Sequence, residues 1–182
     1  MSKDVWLNAN AFNAGDLILT GYVGELKDMP VYEEVIYLCK NGKKALDFGC
    51  GVGRNTFALS KNYNHVIGYD LPSIISLVPE ENKPDNVDYT SDWDSLKDLR
   101  FDMVLASLVL QHIEDQELNN YLHDLALMTD NLVLHSRTWI DHSNNLVLPI
   151  VEKYFRIDQI NYTKDPNNPA DDHFIGSFKK KG

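Results

Sequence analysis

The chain has 182 residues, 43% hydrophobic and 24% charged, with a formal net charge of −10. This mixture excludes a disordered chain, and the length suits one domain. The acidity argues against DNA, RNA or an anionic membrane as partner, since such binders need a positive face.

The N-terminus, Met1-Ser2-Lys3-Asp4, lacks the charged-then-apolar pattern of a secretory signal. No apolar run approaches the roughly 18–20 residues that span a bilayer. Cys39 and Cys50 are too few for a disulfide framework or a metal-ligand set, so a reducing cytosol is expected. Residues 1–43 form a section of weak helical periodicity. Within it Val31, Val35, Ile36 and Leu38 can share a face, and Pro30 suits a first helical turn.

From Lys44 onward short apolar runs alternate with helical stretches. Ala45-Leu46-Asp47-Phe48 reads as a strand, residues 55–59 as a helix, and His65-Val66-Ile67-Gly68-Tyr69 as the next strand, with a short helix after Pro72. Val87-Asp88-Tyr89-Thr90 is a weaker strand, and residues 93–99 read as a helix. Phe101 to Ala106 has the continuous apolarity of a strand buried on both faces. Residues 114–128 are helical, with Leu118, Leu122, Leu125 and Met128 along one side. Leu132 to His135 is a strand and residues 147–154 a short helix. Two closing strands, 155–162 and 173–178, flank a Pro- and Asn-rich loop.

This alternation predicts a doubly wound α/β fold with a mostly parallel sheet and one antiparallel edge strand, formed by the closing hairpin. The terminal Lys179-Lys180-Lys181 then reads as a solvated end protecting an edge strand. Ligands of such sheets bind beyond the carboxyl ends of the strands, where strand order reverses.

Chemistry is therefore sought where strands end. The segment Asp47-Phe48-Gly49-Cys50-Gly51-Val52-Gly53 lies between the first strand and its helix. Its glycines permit a tight turn and bring a ligand close to main-chain N–H groups. A dinucleotide site would need a third glycine at Arg54, but it falls one residue early, at Gly53. The spacing disfavours a pyrophosphate and hence a nicotinamide cofactor.

With this segment the sequence resembles the class I S-adenosylmethionine-dependent methyltransferases, whose first motif is an acidic residue followed by glycines at alternate positions. The resemblance covers roughly residues 44–180 and implies a Rossmann-like, seven-stranded sheet with S-adenosyl-L-methionine as cofactor. It assigns Asp47, Gly49, Cys50, Gly51 and Gly53 to the cofactor loop. Asp70, 21 residues after Gly49, matches the carboxylate that holds both ribose hydroxyls, with Leu71 beside it. Asp92 and Trp93 match an adenine-contacting pair, although Asp92 can equally cap the following helix. Ser107 and Leu108, at the end of the fourth strand, would lie near the methionine part.

His112 follows that strand and is the candidate general base or orienting group, because its pKa lies near neutrality. A His before a helix is just as often a packing or capping residue. His135 and His142 are further candidate bases. No Asn/Asp-Pro-Pro-aromatic motif of base methylation is present, which points to methyl transfer onto an oxygen or nitrogen of a small-molecule acceptor. Asp141-His142 and Asp171-Asp172-His173 hold possible metal ligands, but such loop residues are usually solvated, so no metal is expected. Trp6, Phe12 and Tyr22 are candidate lid residues; Trp139 and Tyr154 are candidates for an acceptor pocket, and most of these aromatics can equally fill the core. The expected assembly is a monomer or homodimer. Two rival readings stand beside this one: a cofactor-binding regulatory module without catalysis, and a nicotinamide-dependent oxidoreductase.

Overall fold

A computed structural model describes residues 6–8, 31–80, 83–140, 145–164 and 172–182. Among the described residues, seven strands form one sheet: β1 (Gly42–Phe48), β2 (Tyr63–Tyr69), β3 (Val87–Thr90), β4 (Met103–Ser107), β5 (Asn131–Arg137), β6 (Phe155–Thr163) and β7 (His173–Lys180). Their spatial order is β3-β2-β1-β4-β5-β7-β6. The first five strands are parallel, and β7 runs antiparallel to both β5 and β6. The reversed strand is thus the inner member of the closing hairpin, with β6 outside it. Lys179 and Lys180 accordingly belong to an inner strand, and the reading of that lysine run as the guard of an edge is corrected. Lys180 N donates to the Asp130 carbonyl, and Lys179 Nζ reaches Asn131 Oδ1.

Among the described residues, these α-helices accompany the sheet: α1 (Glu33–Cys39), α2 (Arg54–Ser60), α3 (Pro72–Ile75), α4 (Asp115–Met128) and α5 (Val147–Val151). The strands alternate their side chains between two cores. Ala45, Val66, Leu105, Val133 and Ile175 pack with Val35, Leu38 and Leu59 under α1 and α2. Leu46, Phe48, Val104, Ala106 and Leu134 pack with Leu118, Leu122 and Leu125 of α4 and Val147 and Val151 of α5.

Helix α4 shows why the period matters. Leu118, Leu122 and Leu125 fall on one face and are fully buried, while Asp115 and Glu117 sit in the first turn, where the helix dipole favours negative charge. Thr129 ends the helix in an extended conformation. Replacing Leu122 with Ala would cost about 2–5 kcal/mol, the range for emptying a packed leucine site.

Two elements are shorter than their sequence pattern suggests. Only Asp94–Leu96 of residues 93–99 is helical, as a single 3₁₀ turn, and α5 stops at Val151. Phe101 stays outside β4 and makes only an isolated bridge to Thr129. Strand order reverses between β1 and β4, so their carboxyl ends open the crevice at which the candidate residues meet.

Candidate functional site

The loop leaving β1 holds three left-handed glycines, Gly49 (φ 73°), Gly51 (φ 58°) and Gly53 (φ 97°). Two of them are dictated by close approach. A Cβ on Gly49 would lie 2.4 Å from Val109 Cγ2, and one on Gly53 would lie 2.1 Å from the Tyr89 hydroxyl. The expected display of loop N–H groups needs correction. Gly49 and Cys50 donate to the Tyr69 carbonyl at 2.8 and 3.0 Å, Gly51 to Asp70 Oδ2 at 2.8 Å, and Gly53 to the Cys50 carbonyl at 3.0 Å. These amides are engaged because the loop must satisfy its own backbone as it turns from strand to helix. The Cys50 thiol is buried, which pushes its pKa up and makes it unreactive.

Asp47 and Asp70 end neighbouring parallel strands. Asp47 points under the loop toward α2 and is 1% exposed; its Oδ2 accepts the Thr56 hydroxyl at 2.6 Å. Its Oδ1 is buried without a partner. Burial lifts its pKa from 3.8 to about 7, the Thr56 bond opposes this, and the Asp70 charge adds to it. Asp70 is half-buried, and its oxygens accept the Gly51 amide and the Leu71 amide at 2.8 and 2.7 Å. Burial raises its pKa against the pull of those amides.

Asp92 is exposed and caps the 3₁₀ turn: its Oδ1 accepts the Ser95 amide at 3.3 Å. Trp93 packs inward among Phe48, Tyr69 and Tyr121, with ring centroids 4.9–5.5 Å away, and its Nε1 donates to Asp124 Oδ2 at 3.0 Å. The pair thus lies beyond β3 as the sequence suggests, with capping and packing roles visible.

At the end of β4, Ser107 Oγ lies 3.5 Å from His135 Nδ1 on β5. Leu108 has φ 56°, a left-handed conformation costing a non-glycine residue about 1–2 kcal/mol, and its amide donates to the His135 carbonyl at 2.6 Å. His112 is half-buried in the 3₁₀ turn Leu110–His112. Gln111 Nε2 sits 3.2 Å from His112 Nε2, while Gln111 Oε1 accepts the Ser136 hydroxyl at 3.0 Å.

Other residues complete this rim, of which Tyr32, Thr56 and Tyr89 had no role in the sequence reading. His135 is buried beneath the Tyr32 ring, at 4.3 Å between centroids, and near His173 at 5.2 Å. Burial, and then the charges of His173 and Arg54, lower its pKa from 6.5 to about 4, so it is neutral at pH 7. Thr56 and Tyr89 close the cluster under the glycine loop, and Tyr89 Oη is another buried atom without a partner. A hydroxyl nine residues after Asp47, in the first turn of α2, is the one local signal that could have found Thr56. Trp6 lies against His112 at 5.5 Å. Trp139 is exposed, and Tyr154 packs on the α4 side of the core. Phe12, Tyr22, Asp141, His142 and Asp171 lie outside the described residues. Among the described residues no three His, Cys, Asp or Glu side chains cluster in a way that could hold a metal ion.

The comparisons with known proteins bear on this geometry. A family model described as a methyltransferase domain matches residues 46–125, which run from the glycine loop through most of α4. No curated protein matches the chain. Among solved structures, the N-methyltransferase NodS from Bradyrhizobium japonicum WM9, in complex with S-adenosyl-L-homocysteine, is 16% identical; the match covers 82% of this chain and 85% of that one, with a TM-score of 0.69. Magnesium protoporphyrin IX methyltransferase (ChlM) from Synechocystis PCC 6803, with bound S-adenosylmethionine, is 19% identical over 96% of this chain and 94% of that one, with a TM-score of 0.66. A TehB-like methyltransferase from Corynebacterium glutamicum ATCC 13032 is 18% identical over 94% and 100% of the two chains, with a TM-score of 0.67. At these identities the likeness is one of fold. Residues 46–125 thus match a methyltransferase domain, and the chain shares its fold with methyltransferases of known structure.

Proposed function

We propose that this protein is an enzyme that transfers the methyl group of S-adenosyl-L-methionine to an oxygen or nitrogen atom of a small molecule. The observation that carries the reading is the pair of carboxylates, buried Asp47 and half-buried Asp70, at adjacent strand ends of the crevice. Both have pKa values raised by burial. Such a site suits a ligand that brings positive charge and hydroxyl donors, and this cofactor carries a sulfonium, an ammonium and a ribose diol.

The residues divide the work by position. Each Asp70 oxygen already takes one backbone amide and has a second lone pair for a ribose hydroxyl, with Leu71 alongside. Asp47, Gly49, Cys50, Gly51 and Gly53 form the loop under the amino-acid part. Asp92 and Trp93 flank the adenine side, and Ser107 and Leu108 lie below the reacting end. The bound cofactor supplies an electrophilic methyl group. The protein's task is to hold the acceptor atom in line and keep water out. His112 takes the acceptor's proton when that atom displaces the Gln111 amide. Residues 1–182 act as a single domain, with 1–43 as a cap section over the 44–180 core.

Calorimetric titration with S-adenosylmethionine, S-adenosylhomocysteine and NAD tests the reading. Saturable one-to-one binding of the first two and silence from NAD are expected, followed by methyl transfer to members of an acceptor pool of small hydroxyl and amino compounds. Binding of NAD alone would overturn it.

A further inference from the structure

The protein has three tryptophans, and the surroundings of their indole N–H groups differ. Trp93 donates to Asp124, and Trp139 is 47% exposed. The Trp6 Nε1 is sealed from solvent and has no hydrogen-bond partner in the structure. A donor in this state costs about 1–3 kcal/mol unless something accepts from it, so the orphan needs an explanation.

Trp6 also spans the crevice. Its carbonyl accepts the Ser73 hydroxyl at 2.9 Å, and Ser73 stands on α3, three residues beyond Asp70. Its ring lies 5.5 Å from that of His112, tilted by 50°, and His112 follows β4 by five residues. Strands β2 and β4 flank β1 in the sheet, so a residue tied to both rims crosses above the glycine loop. Among the described residues, the other two buried polar side-chain atoms without partners, Asp47 Oδ1 and Tyr89 Oη, belong to the same loop cluster.

We propose that Trp6 roofs the cofactor crevice, pinned through Ser73 on one rim and packed on His112 on the other, with its indole N–H donating to an acceptor atom of the bound cofactor. The proposal rests on the methyltransferase reading and adds a ligand-contacting residue from the N-terminal section. The roof must also open for exchange, so its anchors set the rate at which the cofactor leaves.

The full chain labelled with ¹⁵N-tryptophan gives three indole signals, and Trp6→Phe identifies the Trp6 signal by its loss. Saturation with S-adenosylhomocysteine should move that signal downfield and slow its exchange with solvent. Stopped-flow measurements should show faster dissociation of S-adenosylhomocysteine from Trp6→Phe, which keeps a ring but loses the donor, and from Ser73→Ala, which unpins the carbonyl. The expected change for Trp6→Phe is about five- to tenfold, the effect of one hydrogen bond. If the unsubstituted chain binds but its Trp6 signal stays in place, or both variants release the ligand within twofold of the unsubstituted rate, the roof is overturned and the methyltransferase reading stands. If the unsubstituted chain binds neither form of the cofactor, both readings fall together.

Discussion

Thr56 on α2 donates its hydroxyl to Asp47 on β1 at 2.6 Å, closing a polar clasp beneath the glycine loop. The clasp ties the strand to its helix and holds a carboxylate where water does not reach. It leaves one Asp47 oxygen unpartnered, and the consequences are electrostatic.

The Asp47 pKa is 3.8 in an unstructured chain and about 7 in the fold, so the native state binds more protons between those values. Stability of the cofactor-free protein therefore falls as pH rises through this window and levels off above it. Asp47→Asn keeps an acceptor for Thr56 and removes the charge. The variant should match the parent near pH 4 and exceed it at pH 8, with about 4 kcal/mol as the ceiling implied by a three-unit shift. Urea unfolding at the two pH values checks this; a variant less stable at pH 8 would refute it.

His135 acts with the opposite sign. Its pKa is lowered from 6.5 to about 4, so the unfolded chain binds more protons in that interval and stability rises with pH. The two windows overlap and partly cancel. In an Asp47→Asn background the His135 limb should be opposed by that of Asp70, whose pKa is also raised, with stability gained between pH 4 and 6.5 up to about 3 kcal/mol. Thermal melts across that range should lose this gain when His135 is also changed to Asn.

Asp70→Ala should weaken S-adenosylmethionine binding by roughly 1.5–3 kcal/mol, the worth of hydrogen bonds to a charged group. Calorimetry measures it, with circular dichroism as the control, since the Gly51 and Leu71 amides also lose their acceptor. Unchanged affinity in a folded variant would remove Asp70 from the site.

Gly49→Ala should destabilise the protein by about 2–4 kcal/mol, from the left-handed backbone and from the collision with Val109. Val109→Gly removes the collision, whereas alanine would keep a Cβ 2.5 Å from the added one. The double variant should therefore be at least about 1 kcal/mol more stable than the sum of the single effects predicts. Strict additivity in denaturant melts would mean that Val109 does not dictate the glycine.

The crevice residues divide by how far away their partners lie. The glycine loop, Asp70 and the alternation of strands and helices were legible because each is a local constraint: backbone turning, a strand end, a buried period. The leucine face of α4 was legible for the same reason. Asp92 was ambiguous in the sequence because one carboxylate serves a cap or a ligand equally well, and the Ser95 amide shows the cap.

What the sequence determined by itself was the α/β alternation, the single reversed strand near its end and the glycine-rich turn after β1. The tertiary structure alone decided that β7 inserts between β5 and β6, that Val109 and Tyr89 press on the glycines, and that Trp93 joins an aromatic cluster. It also brought Trp6 from the far N-terminus onto His112. Those contacts join residues tens of positions apart. Local sequence records the shape a segment needs, whereas the neighbour that fills the space beside it is chosen only when the sheet assembles and its faces are covered.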